Sequence, residues 1–203
     1  MNRKVPGLEL FLVLLLPAAI CFADNFLPVP SLRNIWANYH LSALIWGLAA
    51  VFAFAFKGGL RFPLNGRQRK MFCWAALLCA AAWLTIFFLA GLLNGFGGSP
   101  YDHSAAGVGI NFFSLALTLA GMEVYRFKIS KFLKRKPFLA VFLTGLMFTF
   151  FSFPLRRLGF ASLPEGIKFA GGILLPAFAE SILASYLALL AGPFPSLIFR
   201  AVI

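Results

Sequence analysis

Long apolar runs without charged residues constrain this chain more than any other feature. Of its 203 residues, 61% are hydrophobic and 12% are charged, and this is about half the charged share of an average soluble domain. Roughly 20 helical residues cross the hydrocarbon core of a bilayer, where the backbone must satisfy its own hydrogen bonds. Six stretches meet or approach this length, at residues 8–23, 39–56, 71–93, 105–125, 138–155 and 169–191. We therefore predict an all-α, multi-pass membrane protein with about six transmembrane helices, in which residues 1–203 form a single helical membrane domain.

The positions of the cations predict the orientation of these helices. The chain has 18 Lys and Arg against 6 Asp and Glu, and cations collect in cytoplasmic loops because they resist translocation. Most of them precede the first run, follow the second run or follow the fourth run, which predicts an N-in/C-in topology. Arg156 and Arg157 fall on the outer side in this scheme, and a re-entrant fifth segment is the alternative. Because no basic face is left for a nucleic acid, the expected partner is the lipid bilayer.

The N-terminal run also has the order of a signal peptide. Charged residues are followed by an apolar stretch, and Cys21-Phe22-Ala23 loosely resembles a cleavage site with small residues. The first helix is therefore either a cleaved signal peptide or a retained transmembrane helix.

Motifs for catalysis or metal binding are absent from the sequence. There is no His-Glu-x-x-His, no Gly-x-Ser-x-Gly and no phosphate-binding Gly-rich loop. Cys21, Cys73 and Cys79 lie within apolar runs without Cys-x-x-Cys spacing, and His40 and His103 lie far apart. We therefore predict no catalytic, cofactor-binding or metal-ligating residue in this chain.

Polar or helix-breaking residues at membrane depth or at the interface are the candidate sites, namely Glu180, Pro176, Asn111, Glu123 and Arg126. Glu180 falls in the middle of the sixth run. Gly172, Pro176 and Glu180 are spaced four apart, which predicts one helical stripe with a kink at the proline. A carboxyl group beside a broken helix is typical of the ion or substrate site of a carrier. A protonated Glu180 that bonds a neighbouring helix would instead only support packing.

The fourth run carries a seam of small and polar residues, which we expect to face other helices: Gly107, Asn111, Ser114, Thr118 and Gly121. Glu123 and Arg126, three residues apart, predict an exposed ion pair at the cytoplasmic interface that anchors the helix. Asp102 or Ser104 is expected to cap the start of this helix.

Three stretches together carry a resemblance to a known family. The first is Ser-Pro-Tyr-Asp at 99–102, which leads to Asn111 and to Gly121-Met122-Glu123-x-x-Arg126. The others are Leu-Pro-Ala-Phe-Ala-Glu-Ser at 175–181 and Gly-Pro-Phe-Pro-Ser-Leu-Ile-Phe-Arg at 192–200. Together they resemble the multi-helix membrane region that precedes the peptidase domain in an unusual group of signal peptidase I proteins, over roughly residues 90–203.

The resemblance implies a role in removing signal peptides from exported proteins at the plasma membrane. In that family a Ser nucleophile is activated by a Lys base. This chain has no Ser-Met-x-Pro-like segment and no Lys-bearing β-rich domain, so no catalytic residue is carried over and the Ser/Lys domain is expected to be absent from it. Exported preproteins or a separate peptidase domain are then the expected partners. A small carrier or channel using Glu180, and a non-catalytic assembly subunit, remain as alternatives.

Overall fold

The computed structural model of the chain describes residues 7–26, 35–55, 64–95, 98, 103–152, 159–160 and 162–203. These residues form helices and short connections, with no strand among them. The helices are α1 (Gly7–Phe26), α2 (Ile35–Ala55), α3 (Gly66–Asn94), α4 (Ala105–Phe132), α5 (Pro137–Phe151), α6 (Leu163–Phe169), α7 (Leu175–Ala191) and α8 (Pro193–Val202), with a π-helical segment at Ala170–Leu174. Three helical stretches are long and apolar enough to cross a membrane: Gly66–Leu93, Ala105–Phe132 and Leu163–Ala191. The protein is therefore all-helical within the described ranges and suited to a bilayer.

Several helices begin a few residues before the predicted runs, and the other differences lie at α4, α5 and α8. α5 has 15 residues and is about 22 Å long, shorter than a hydrocarbon core of about 30 Å. The remainder of the predicted fifth run, together with Arg156 and Arg157, lies outside the described residues. α4 continues to Phe132 instead of ending at 125, and α8 was not predicted because its 10 residues are too few to form a span.

The inner part of α4, residues 121–127, lies at the centre of the bundle. Every residue from 121 to 127 is buried, because α1, α2, α5, α7 and α8 all pack against this helix. Met122, Val124 and Tyr125 form an apolar core with Trp46 of α2 and Phe148 of α5. The outer part of the same helix exposes Phe112 and Phe113 to its surroundings, as expected of a face in contact with lipid.

The extension of α4 also changes the surroundings of the cations expected in a loop at 126–136. Arg126 is fully buried. Lys128 donates a hydrogen bond to the backbone carbonyl of Ala53 in the last turn of α2, and Lys131 lies 5.2 Å from the centre of the Phe127 ring. The prediction of a loop was wrong for residues 126–132, where α4 continues and these side chains find partners, whereas residues 133–136 do form the connection to α5.

α2 and α4 pack side by side and run in the same direction. His40 contacts Ser114, and further along Lys128 bonds Ala53, with sequence separations of 74 and 75 residues. Between these two contacts, a Cβ atom on Gly121 would overlap the backbone carbonyl of Trp46. The predicted seam of α4 thus faces α2 at Ser114 and Gly121.

Both ends of α4 are set by local chemistry. The Ser104 side chain accepts a hydrogen bond of 3.0 Å from the backbone N–H of Gly107, which confirms the predicted cap, whereas Asp102 lies outside the described residues. Lys131 lies in the last turn, where a cation interacts favourably with the helix dipole.

α8 turns back from the end of α7 and packs between α3 and α7. The turn is made at Gly192, whose φ of 93° falls in a region that side chains other than glycine rarely adopt. Phe199 of α8 is buried in an apolar cluster with small and apolar residues of α3 and α7: Ala76, Ala80, Ala184 and Leu187. The alanines of α3 and α7 leave room for this extra helix.

Candidate functional site

The candidate site is a polar network that joins α4, α7 and α8 inside the bundle. At its centre Arg126 Nε and Glu123 Oε2 are 2.9 Å apart, and their side chains are 0% and 1% exposed. The ion pair predicted from their spacing therefore forms. Its predicted exposure at the interface was wrong, because five other helices surround this part of α4.

Arg126 connects α4 to α7. Its Nη1 atom donates hydrogen bonds of 3.1 Å to the backbone carbonyl of Ser181 and of 3.1 Å to Ser185 Oγ. Its guanidinium also lies 4.3 Å from the centre of the Phe148 ring on α5, within the range of a cation–π interaction. A single arginine side chain thus contacts two neighbouring helices.

Glu123 connects α4 to α8. Ser196, which is fully buried in the second turn of α8, donates its hydroxyl hydrogen to Glu123 Oε2. Glu123 Oε1 accepts from Arg126 Nε at 3.0 Å. Both carboxylate oxygens are therefore engaged by donors from the protein.

A second ion pair lies at the edge of the same network. Arg200 Nη1 of α8 lies 2.6 Å from Glu180 Oε2 of α7, and the two side chains are 15% and 17% exposed. Trp83 Nε1 of α3 donates a hydrogen bond of 3.1 Å to the other oxygen of Glu180. The Glu180 carboxylate therefore has a basic partner on α8 and an indole donor on α3.

Pro176 lies beside a change in helix type. Pro176 has no N–H to donate, and immediately before it residues Ala170–Leu174 form a π-helical segment. The backbone N–H of Leu175 donates to the carbonyl of Ala170, a bond across five residues. The irregularity before Pro176 is a π-helical segment, which breaks the regular spacing predicted between Gly172 and Pro176, and a Cβ atom on Gly172 would meet nothing within 4 Å.

Asn111 lies apart from this network. It is partly buried on the outer part of α4, one turn before Ser114, whose Oγ is 2.5 Å from His40 Nδ1. A cavity of about 310 Å³ opens beside this pair, and apolar side chains of α2 and α4 form most of its lining. Asn111 is not among the lining residues. The structure thus places Glu123, Arg126 and Glu180 in the network, and it leaves Pro176 one turn before Glu180 on α7 and Asn111 elsewhere.

Sequence reasoning missed five members of the network: Trp83, Ser181, Ser185, Ser196 and Arg200. Ser181 and Ser185 are four apart beside Glu180, which would place two hydroxyls near one face of the helix. Ser196 and Arg200 have the same spacing, but they could be recognised as partners only once α8 was known to turn back along α7.

The network has the chemistry of a structural connection between helices. Glu123, Arg126 and Ser196 are at most 1% exposed, so a substrate cannot reach the Ser196 hydroxyl in this arrangement. Among the described residues, no three His, Cys, Asp or Glu side chains are grouped to hold a metal ion. The arrangement ties helices together through hydrogen bonds to charged groups, which are about twice as strong as those between neutral groups.

The chain matches no protein-family model, no curated protein and no solved structure.

Proposed function

We propose that this chain is the membrane-embedded, non-catalytic scaffold of a signal-peptidase-I-like assembly in the plasma membrane. The observation that supports this function is the convergence of the stretches behind the resemblance. Residues 121–126, 175–181 and 192–200 lie on three different helices and meet in the buried contacts around Glu123 and Arg126. A scaffold needs such a connection, because it must hold its helices in one arrangement while a separate Ser/Lys domain cleaves the signal peptides of exported preproteins.

Isolation of the assembly tests this proposal. The tagged full chain, extracted from its native membrane in mild detergent, should bring with it a peptidase activity that cleaves a signal-peptide substrate. Arg126→Leu should abolish this association, since it disconnects α4 from α7, whereas Lys168→Gln on the exposed surface of α6 should retain it. Recovery of the intact chain without any cleaving activity would overturn the proposal.

Six spans with both termini inside are part of the same proposal. The parallel packing of α2 and α4 supports this topology, because alternate spans cross a membrane in the same direction. A variant without Cys21, Cys73 and Cys79 should accept a single reporter cysteine. At position 99 an impermeant thiol reagent should label it from outside, and at position 135 only after the membrane is opened. Reversed labelling would contradict the topology.

A small cation-coupled carrier using Glu180 is the second candidate. The π-helical segment that ends at Leu174, in the same helical stretch as Glu180, and the partial exposure of the Glu180 side chain favour this function, whereas the ion pair with Arg200 counts against it. Uptake into vesicles containing the purified chain separates the two candidates. Coupled uptake that Glu180→Gln abolishes would establish the carrier, and equal flux in both forms would exclude it.

A further inference from the structure

Cations gather at the end of the bundle where α3 begins and α4 ends. Among the described residues they are Arg67, Arg69, Lys70, Lys128, Lys131, Lys134, Arg135 and Lys136. Arg69 lies 5.9 Å from the ring of Phe194 in the first turn of α8, and Lys128 bonds the end of α2. Because α8 also bonds Glu123 of α4, the two groups of cations belong to the same end of the molecule.

Three of these eight cations contact other residues of the protein. Arg69, Lys128 and Lys131 contact rings or a carbonyl of neighbouring residues. The other five side chains are exposed: Arg67, Lys70, Lys134, Arg135 and Lys136. We call these five residues the cationic end.

The structure describes the side chains of three acidic residues, Glu123, Glu165 and Glu180. Glu123 and Glu180 are bound to arginines. Glu165 lies at the start of α6, and the whole length of α6 and α7 separates it from the turn at Gly192. None of these three carboxylates therefore lies beside the five exposed cations of the cationic end.

Helix polarity increases the positive potential at the same place. The N-terminus of a helix carries a partial positive charge and favours acidic side chains, yet the first turn of α3 has none and contains Arg67. α5 begins after Lys136 without a side-chain cap. In α6 the charges have the ordinary order, with Glu165 in the first turn and Lys168 in the last. An anion that binds at the cationic end would reduce the repulsion between these cations and the positive ends of the helices.

Exposed apolar side chains beside the cations indicate that the anion belongs to a lipid. Met71, Trp74 and Phe138 directly follow the cations along α3 and α5 and are 62%, 67% and 85% exposed. Aromatic side chains at such a boundary are typical of the interface between membrane and water. We propose that the cationic end binds the headgroups of anionic phospholipids through their phosphate groups, so that the protein retains these lipids in preference to zwitterionic ones.

Lipid retention by the purified full chain tests this proposal. Native mass spectrometry in detergent should show bound phosphatidylglycerol after incubation with it, and far less phosphatidylcholine under the same conditions. Arg67→Gln with Lys70→Gln should weaken phosphatidylglycerol binding about tenfold, and substitution of all five cations by Gln about a hundredfold or more, because each cation near an anionic surface contributes to attraction. Lys168→Gln at the opposite end is the matched control and should bind as the original chain does.

Salt dependence gives a second measurement that does not rely on substitution. Exposed charges are screened within about 3 Å at 1 M salt, so phosphatidylglycerol binding should fall steeply between 0.05 and about 1 M NaCl. Equal retention of both lipids, or unchanged phosphatidylglycerol binding in the variant without the five cations, would overturn the proposal.

Discussion

Two ion pairs of the same chemistry lie in different surroundings in this protein. Glu123 and Arg126 are at most 1% exposed and are bonded to residues of α7 and α8. Glu180 and Arg200 are 17% and 15% exposed and join α7 to α8 at the edge of the bundle. The first pair is local in sequence and connects distant helices through its further hydrogen bonds, whereas the second joins two consecutive helices directly.

The difference shows that burial and further partners decide what an ion pair contributes. Breaking a fully buried pair leaves one charge without compensation and costs about 3–5 kcal/mol, and the cost is lower where the remaining charge can reach polar surroundings. We therefore expect the inner pair to contribute more to the stability of the fold than the outer pair does. The predictions below test this contrast.

Removal of one partner of the inner pair should have the largest effect. Arg126→Leu leaves the Glu123 carboxylate buried without its cation, and we expect a loss of about 3–5 kcal/mol in the free energy of unfolding. Thermal unfolding of the purified chain in detergent, followed by size-exclusion chromatography, measures it.

The double variant Glu123→Leu with Arg126→Leu is the matched control. Replacement of both charges by apolar residues removes the uncompensated charge, so stability should recover by several kcal/mol relative to the single variant. Equal destabilisation of the single and double variants would show that lost packing, and not charge, is responsible.

Ser196→Ala should have the next largest effect. It removes the hydroxyl that α8 donates to Glu123, and a hydrogen bond to a charged group contributes about 1.5–3 kcal/mol. Unfolding should occur at lower temperature, and α8 should become more accessible to proteolysis. Ser162→Ala, whose side chain makes no capping bond at the start of α6, is the control and should unfold as the original chain does.

The sequence predicted the helices well because their apolar runs are long. It also predicted the pairing of Glu123 with Arg126, since a spacing of three brings two side chains to one face of a helix. Burial of that pair could not be predicted, because it depends on how many helices surround α4, and an arginine at the end of an apolar run ordinarily reaches water.

The partners supplied by α8 were beyond sequence reasoning for a different reason. Arg200 lies 20 residues after Glu180, and the contact exists only because Gly192 turns the chain back along α7. A helix as short as α8 gives no transmembrane signal, so nothing in the hydropathy pattern indicates this turn.

Gly121→Ala tests how tightly the inner part of α4 is held on the side that faces α2. The added methyl would overlap the carbonyl of Trp46, and overpacking costs about 1–3 kcal/mol. Gly109→Ala, where a Cβ meets nothing within 4 Å, is the control and should stabilise the helix slightly. Similar unfolding temperatures for the two variants would show that α2 and α4 separate easily.

Glu180→Gln should have the smallest effect. The amide keeps an oxygen that can accept from Trp83 or Arg200, and the two side chains of this pair are 15% and 17% exposed, so we expect a smaller loss in the free energy of unfolding than at the inner pair. The same substitution at the inner pair, Glu123→Gln, should cost several times more, because Arg126 would remain buried without an anion. Unfolding of both variants in one detergent provides the comparison. If Glu180→Gln destabilises the protein as much as Glu123→Gln, exposure does not separate the two pairs, and the attachment of α8 through Arg200 is as important to the fold as the network inside the bundle.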